Sequence, residues 1–242
     1  LQIGTLEQIS KHRQQTVVCD FRVQDLLFGG QGAPLVPLGD RLLFSQYDYC
    51  LNLGGFANIS KVSSGVSVAY DICPVNVVMN HYAQKLAMPY DSGGELAKSG
   101  EILPTILKQL DALSYYRQHP PKSLGVEWVY KELMPILKAS KAKEEDVLRT
   151  CVAHFASQIV QQLNPGSSVL VTGGGGYNRF LLEQIQASID VTLVLPNKTL
   201  IEFKEALIFG LLGVLKLRDE VNCLSSVTGA SKDHSSGVVF LN

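Results

Sequence analysis

Asp71 is the side chain whose placement most invites chemistry. It closes a strand-like run, Val66 to Ile72, and Pro74 suits the first position of a helix just beyond. A carboxylate at a strand's C-terminal edge, facing a helix N-terminus, stays ionised and suits a general base. A plain helix-capping aspartate fits the same place. Two glycine-rich turns also follow strands. In Asn52-Leu53-Gly54-Gly55, followed by Asn58, backbone N–H groups could cradle phosphate oxygens, or the glycines could serve a tight hairpin that needs positive φ. In Thr172-Gly173-Gly174-Gly175-Gly176-Tyr177-Asn178, four glycines between a buried strand and a helix start offer a side-chain-free surface. That surface suits a nucleotide better than a mere connector, because ordering four glycines costs much chain entropy.

Asp20, Arg22 and Asp25 follow another short strand, Thr16 to Cys19, and lead into Gly29-Gly30-Gln31-Gly32-Ala33-Pro34-Leu35. Gln31 amid glycines could donate to a sugar hydroxyl; an internal Asp–Arg pair holding the loop is the blander account. Glu205 shares a helical face with Ile201, Ile208 and Leu212. A carboxylate in an apolar stripe needs a partner, either a ligand near the helix start or a backbone donor. His81 and His154 fall in helical patterns and read as structural. GxxxxGK[ST], GxSxG, HExxH, EF-hand and Cys/His metal spacings are absent from the sequence, so no metal ligands are assigned.

These residues need a scaffold. Three strand-like runs come in quick succession, Tyr49 to Leu53, Ala57 to Val62 and Val66 to Ile72, joined by hairpin-type turns. Helical patterns follow from Pro74 to about Leu86 and over Glu101 to Leu113, Glu127 to Leu137 and Glu144 to Leu163. An apolar strand, Ser168 to Thr172, then precedes a helix over Asn178 to Ser188. A strand from Val191 to Leu195 and a helix from Leu200 to about Arg218 complete the alternation. An antiparallel meander followed by strand–helix–strand–helix is the order of a ribonuclease-H-like, actin-like ATPase lobe, an α/β fold with a mixed sheet. The expected division is 1–45 as the end of a first lobe, 46–218 as the second lobe, and 219–242 as an irregular tail returning to the first.

A net charge of −1 gives no electrostatic case for nucleic acid or an acidic membrane surface. The longest apolar stretch, Ala206 to Leu217, is broken by Gly210, Gly213 and Lys216 and falls short of the roughly 20 residues a bilayer span needs. Five cysteines, none in a CxxC pair, read as buried reduced thiols of a cytoplasmic protein.

Several of these stretches together resemble anhydro-N-acetylmuramic acid kinases, of the hexokinase/actin-like superfamily. The stretch Asp20-Phe21-Arg22 with Asp25 and Gly29 to Pro37 is similar to that family's DFRxxD…GGQGAPLVP block, and Asn52 to Ser60 to its glycine strand turn. Tyr70-Asp71 with Pro74 and Asn76 resembles D-x-G-P-G-N, and Lys122-Ser123 with Gly125 and Glu127 resembles K-S-x-G-x-E. The glycine run to Asn178, Glu205-Ala206 and the Ser226 to Ala230 tail also fit. The resemblance implies ATP with Mg²⁺, an amino sugar as substrate, and a role in murein recycling. Water opens the 1,6-anhydro ring while O6 receives the γ-phosphate, with Asp71 as base on the water. Asp20, Arg22, Gln31, Asn76 and Glu127 would face the sugar. Gly54, Gly55 and Asn58 would approach phosphate, and Gly174, Gly175, Gly176, Asn178 and Glu205 would border the nucleoside. A homodimer is compatible with the sequence.

Two departures stand out. The family's opening G-T-S-x-D-G phosphate loop is missing from these residues, so the chain as given is expected to bind ATP poorly and not turn over. Cys73 and Val75 replace the family's glycines, and bulk beside the base would alter sugar contacts. A kinase for another amino sugar, or a non-catalytic sugar-binding or assembly module, are the competing readings.

Overall fold

The structure, a computed structural model, describes residues 7–61, 68–120 and 122–241. The start of the expected third meander strand, and the turn before it, lie outside those residues. In chain order the elements begin α1 (Gln8–Arg13), β1 (Val17–Cys19), α2 (Val23–Leu27), α3 (Val36–Leu43), β2 (Tyr49–Leu53), β3 (Phe56–Lys61) and β4 (Val68–Pro74). Next come α4 (Asn76–Lys85), α5 (Glu95–Ser99), α6 (Pro104–Asp111), α7 (Val126–Trp128), α8 (Met134–Ala139) and α9 (Glu144–Val160). The chain continues through β5 (Ser168–Thr172), α10 (Arg179–Ser188), β6 (Thr192–Val194), α11 (Lys198–Leu217), α12 (Ser225–Thr228) and β7 (Val238–Phe240). Two compact units result, one comprising Leu1–Gln46, Val62–Ala69 and Phe203–Asn242, the other Tyr47–Lys61 and Tyr70–Glu202.

The second unit is built on a five-stranded sheet in the order β4-β3-β2-β5-β6. β2 and β3 are antiparallel, with Tyr49 opposite Lys61 and Leu53 opposite Ala57. β5 runs parallel to both β2 and β6. Renumbered within the sheet, that order is 3-2-1-4-5, with an antiparallel first hairpin and two parallel additions, the ribonuclease-H-like arrangement. The apolar run of β5 is buried because parallel strands are covered on both faces. Leu148, Val152, Phe155 and Ile159 of α9 join Leu51, Leu53, Ile59, Val169 and Val171 in one core. His154, on the same helix, is fully buried and paired with Asp111 at 2.6 Å.

Element boundaries depart from expectation where local hydrogen bonding decides them. Pro74 ends β4 instead of opening α4. The helix starts at Asn76 because the N–H groups of Val75 and Val77 donate to the Gly55 carbonyl (2.8 and 3.2 Å), and that of Asn76 to the Gly54 carbonyl (3.3 Å). The chain after β2 thus receives the orphan donors of a helix N-terminus. The pattern over Glu127 to Leu137 is interrupted by a π-helical turn, Val129–Leu133, just ahead of Pro135. Proline has no N–H for the α-helical ladder and its ring collides with the carbonyl four residues back, so the turn widens there.

The first unit carries a two-stranded antiparallel pair, β1 with β7, in which Val18 faces Val239. Its last described residues are irregular apart from the short α12 and β7. Gly39 of α3 is a glycine because a Cβ there would collide with Ile208. Beside that contact lies a buried ion pair, Lys204 Nζ to Asp40 Oδ1 at 2.8 Å. All five cysteines are buried, and none is in a disulfide.

Candidate active site

A cleft of about 330 Å³ opens on the second unit. It is lined by Asn76, Met79 and Asn80 of α4, by Tyr90 to Gly93, and by Gly174, Gly175, Tyr177 and Asn178. The glycine run divides into two functions. A Cβ on Gly175 would stand 2.8 Å from both Cβ and O of Leu53, and one on Gly173 would stand 2.6 Å from Asn52 Oδ1. Gly173 also takes φ of +81°. These two glycines exist to let the turn lie against the end of β2. Gly174 is different: it is exposed, and an added Cβ would meet only Asn76 Nδ2, at 3.9 Å. Its bare face belongs to the cleft. Gly176 is buried, its N–H donating to the Gly173 carbonyl at 2.9 Å.

Asn178 caps α10, its side-chain oxygen accepting the Leu181 N–H at 3.0 Å. Asn76 Nδ2 donates to the Leu53 carbonyl at 3.3 Å, which sets Asn76 beside the glycine run. Tyr90 to Gly93 were missed from sequence. The signal was Asp91-Ser92-Gly93-Gly94, a glycine doublet at φ of +67° and +82°. Asp91 fixes that turn by accepting the Leu96 and Ala97 N–H groups at 2.8 and 3.0 Å.

Gly54 and Gly55 carry no positive φ, which removes the hairpin explanation for them. The Gly54 N–H donates to the Phe56 carbonyl at 3.1 Å, and both carbonyls cap α4. Gly55 is exposed, and an added Cβ would approach only Val77, at 3.8 Å. Asn58 lies on β3 directly opposite Asn52.

Asp71 sits within β4, not at its end, and is absent from the residues lining the cleft. The helix N-terminus expected beside it is taken by the glycine carbonyls. What holds the carboxylate instead is the Leu124 N–H, donating to Oδ2 at 2.8 Å. Burial pushes the Asp71 carboxyl above the usual carboxylate range, and the Leu124 hydrogen bond offsets this only in part. Tyr115, unnoticed in the sequence, donates its hydroxyl to the Asp71 carbonyl at 2.6 Å, and burial drives its own acidity down. Lys122 lies with its ammonium 4.7 Å from the Tyr115 ring centroid, its pKa lowered by burial. A half-buried carboxylate with one oxygen tied and an elevated pKa is equipped to accept a proton. Glu127 is exposed at the start of α7.

In the first unit, Arg22 Nη1 donates to the Gly32 carbonyl at 2.6 Å, and the Gly32 N–H donates to Asp25 Oδ2 at 2.7 Å. Arg22 and Asp25 therefore hold Gly32 of the glycine loop through its C=O and its N–H. Gln31 is exposed between them, anchored through its backbone N–H to the Thr228 carbonyl at 2.9 Å. Asp20 has φ of +55°, an uncommon conformation for a residue with a Cβ, and its Oδ2 meets the Cys19 thiol at 3.6 Å. Glu205 is exposed, not in the apolar stripe. The inward positions of α11 are Ile201, Lys204, Ile208, Leu212 and Leu215, so the buried charge is the lysine one residue earlier.

A family model described as anhydro-N-acetylmuramic acid kinase matches residues 1–242. The chain is 35% identical to the protein of that name from Francisella tularensis subsp. novicida, over 95% of this chain and 65% of the relative. It is 34% identical to that of Vibrio cholerae and 32% identical to that of Variovorax paradoxus, each over 99% of this chain and 69% of the relative. The chain thus spans 65% to 69% of the length of these relatives.

Proposed function

The chain belongs to the anhydro-N-acetylmuramic acid kinase family, and from that membership we propose an ATP-dependent sugar kinase that opens a 1,6-anhydro ring with water and phosphorylates O6. Asp71 takes the proton from the water as it attacks C1. The C1–O6 bond breaks, O6 attacks the γ-phosphorus, and ADP departs. The observation that carries this reading is the Asp71 carboxylate, half-buried, fixed by Leu124 N–H and raised in pKa, which is what a base working near neutrality requires.

The cleft suits the nucleoside of ATP. Gly174 offers a bare backbone face, Tyr177 an exposed ring, and Asn76 and Asn80 polar groups along α4. Gly55 and Asn58 are assigned to phosphate, and Gln31 and Glu127 to the sugar. Mg²⁺ bound with the nucleotide would offset the charge that develops in transfer. In the DFRxxD block Asp25 is committed to Gly32, whereas Asp20 is the carboxylate suited to the metal or sugar. Its left-handed backbone is local strain of the kind that accumulates at binding sites.

The test is the whole protein with ATP, Mg²⁺, the anhydro-sugar and ¹⁸O-labelled water, followed by mass spectrometry. The expected result is ADP with a 6-phosphosugar carrying the label at C1. ADP formed only with a different amino sugar replaces the substrate assignment, and binding without ADP leaves a sugar-binding module.

A further inference from the structure

Asp25, Cys223 and His234 are far apart in the chain, yet they converge in the first unit with one ligand atom from each, all within 4.8 Å of one another. From this geometry we propose that they form a site for a thiophilic divalent cation, Zn²⁺ by preference. Asp25 Oδ1 lies 3.1 Å from Cys223 Sγ and 3.7 Å from His234 Nε2. Three ligands around a tetrahedral zinc, each about 2.0–2.3 Å from the metal, stand at separations of this order. All three residues are buried.

The imidazole carries the argument further. Its Nδ1 lies 3.1 Å from the Lys232 carbonyl, which can only accept, so Nδ1 is the protonated nitrogen of the neutral ring. The lone pair is then on Nε2, which points into the cluster, in a side chain 4% exposed, and has no hydrogen-bond partner. A buried unmatched acceptor is costly. An Nδ1–H donated to a carbonyl is also the arrangement that orients histidines on metals. Thr228 Oγ1, donating to Asp25 Oδ1 at 2.7 Å, orients the carboxylate in the same way. Thiolate and imidazole favour zinc over Mg²⁺ or Ca²⁺. On binding, the Cys223 thiol gives up its proton to solvent and the sulfur–metal bond replaces the S–H···O contact. The cation would fasten Cys223 and His234 to Asp25, which holds Gly32. It owes nothing to the sugar or nucleotide.

Whole protein purified without chelator should contain about one zinc per chain by elemental analysis. After stripping, titration with Co²⁺ should produce a thiolate-to-cobalt charge-transfer band and intense tetrahedral d–d absorption. Cys223→Ser should abolish the charge-transfer band and weaken zinc binding by more than the roughly 10–100-fold that outer-shell changes cost, while Cys151→Ser keeps the band. Wild-type protein that holds no zinc and shows no cobalt–thiolate band overturns the site without reference to any variant. In that case the three groups are a hydrogen-bonded cluster.

Discussion

Two aspartates of this chain show how surroundings sort carboxylates into roles. Asp25 is buried, yet hydrogen bonds from Thr228, Cys223 and Gly32 overcome the desolvation and hold its pKa low, which is the signature of a structural anchor. Asp71, half-buried, has a single N–H against its desolvation, and its pKa rises. In the proposed kinase the acid limb of kcat/KM then falls at a pH above the ordinary carboxylate range, and Asp71→Asn lowers kcat by about 10²–10⁴. Stability moves the other way. A raised folded-state pKa means the proton is held more tightly in the folded protein, so stability is lost as pH climbs through that pKa. Asparagine removes this dependence while still accepting the Leu124 N–H. The melting temperature of Asp71→Asn relative to wild type should therefore increase from pH 4 to pH 8, as differential scanning fluorimetry would show. A flat difference would mean the carboxylate is not desolvated. The identity of Asp71 as a candidate was legible in the sequence. Its environment was not, because Leu124 and Tyr115 come from segments 53 and 44 residues away.

At the scale of elements, strands and their order were readable because alternation and glycine punctuation are local. β2 and β5 match expectation to the residue. Helix starts were less so, since the α4 N-terminus is fixed by the Gly54 and Gly55 carbonyls of an earlier turn. The face of α11 was read one position off, as Glu205 instead of Lys204, because periodicity alone tolerates either. The glycine run makes a sharper test. Gly175→Ala forces a Cβ into Leu53, and overpacking of this kind costs about 1–3 kcal/mol. Gly174→Ala has room and should leave thermal stability within about 0.5 kcal/mol, while weakening ATP binding in calorimetry if the cleft holds the nucleoside. Equal stability losses in both would show that the cleft face is ordinary packing. In the first unit, Lys204→Met removes the cation of the buried Lys204–Asp40 pair and should cost about 3–5 kcal/mol, with recovery when Asp40→Leu is added.

At the scale of the whole molecule, the family's substrate is the quantity at stake, and the replaced glycines were its weakest support. Cys73 and Val75 are each 0% exposed and belong to the core around α4 and α9. Their side chains point into packing that the glycines would leave empty, so they add no bulk to a ligand surface. Restoring both glycines removes a buried thiol and a buried isopropyl group and frees the backbone ahead of α4. Cavity creation and chain entropy together should cost several kcal/mol, roughly 2–5 from lost packing and about 0.5–1 for each glycine. Chemical denaturation of Cys73→Gly/Val75→Gly should show that loss. Relative kcat/KM for the anhydro-sugar against other amino sugars should stay within about two-fold, since the atoms removed would touch neither. A tenfold shift in preference at unchanged stability would place those side chains at the sugar and return the substrate to question. The core, on this argument, has absorbed a departure from the family motif without passing it on to chemistry.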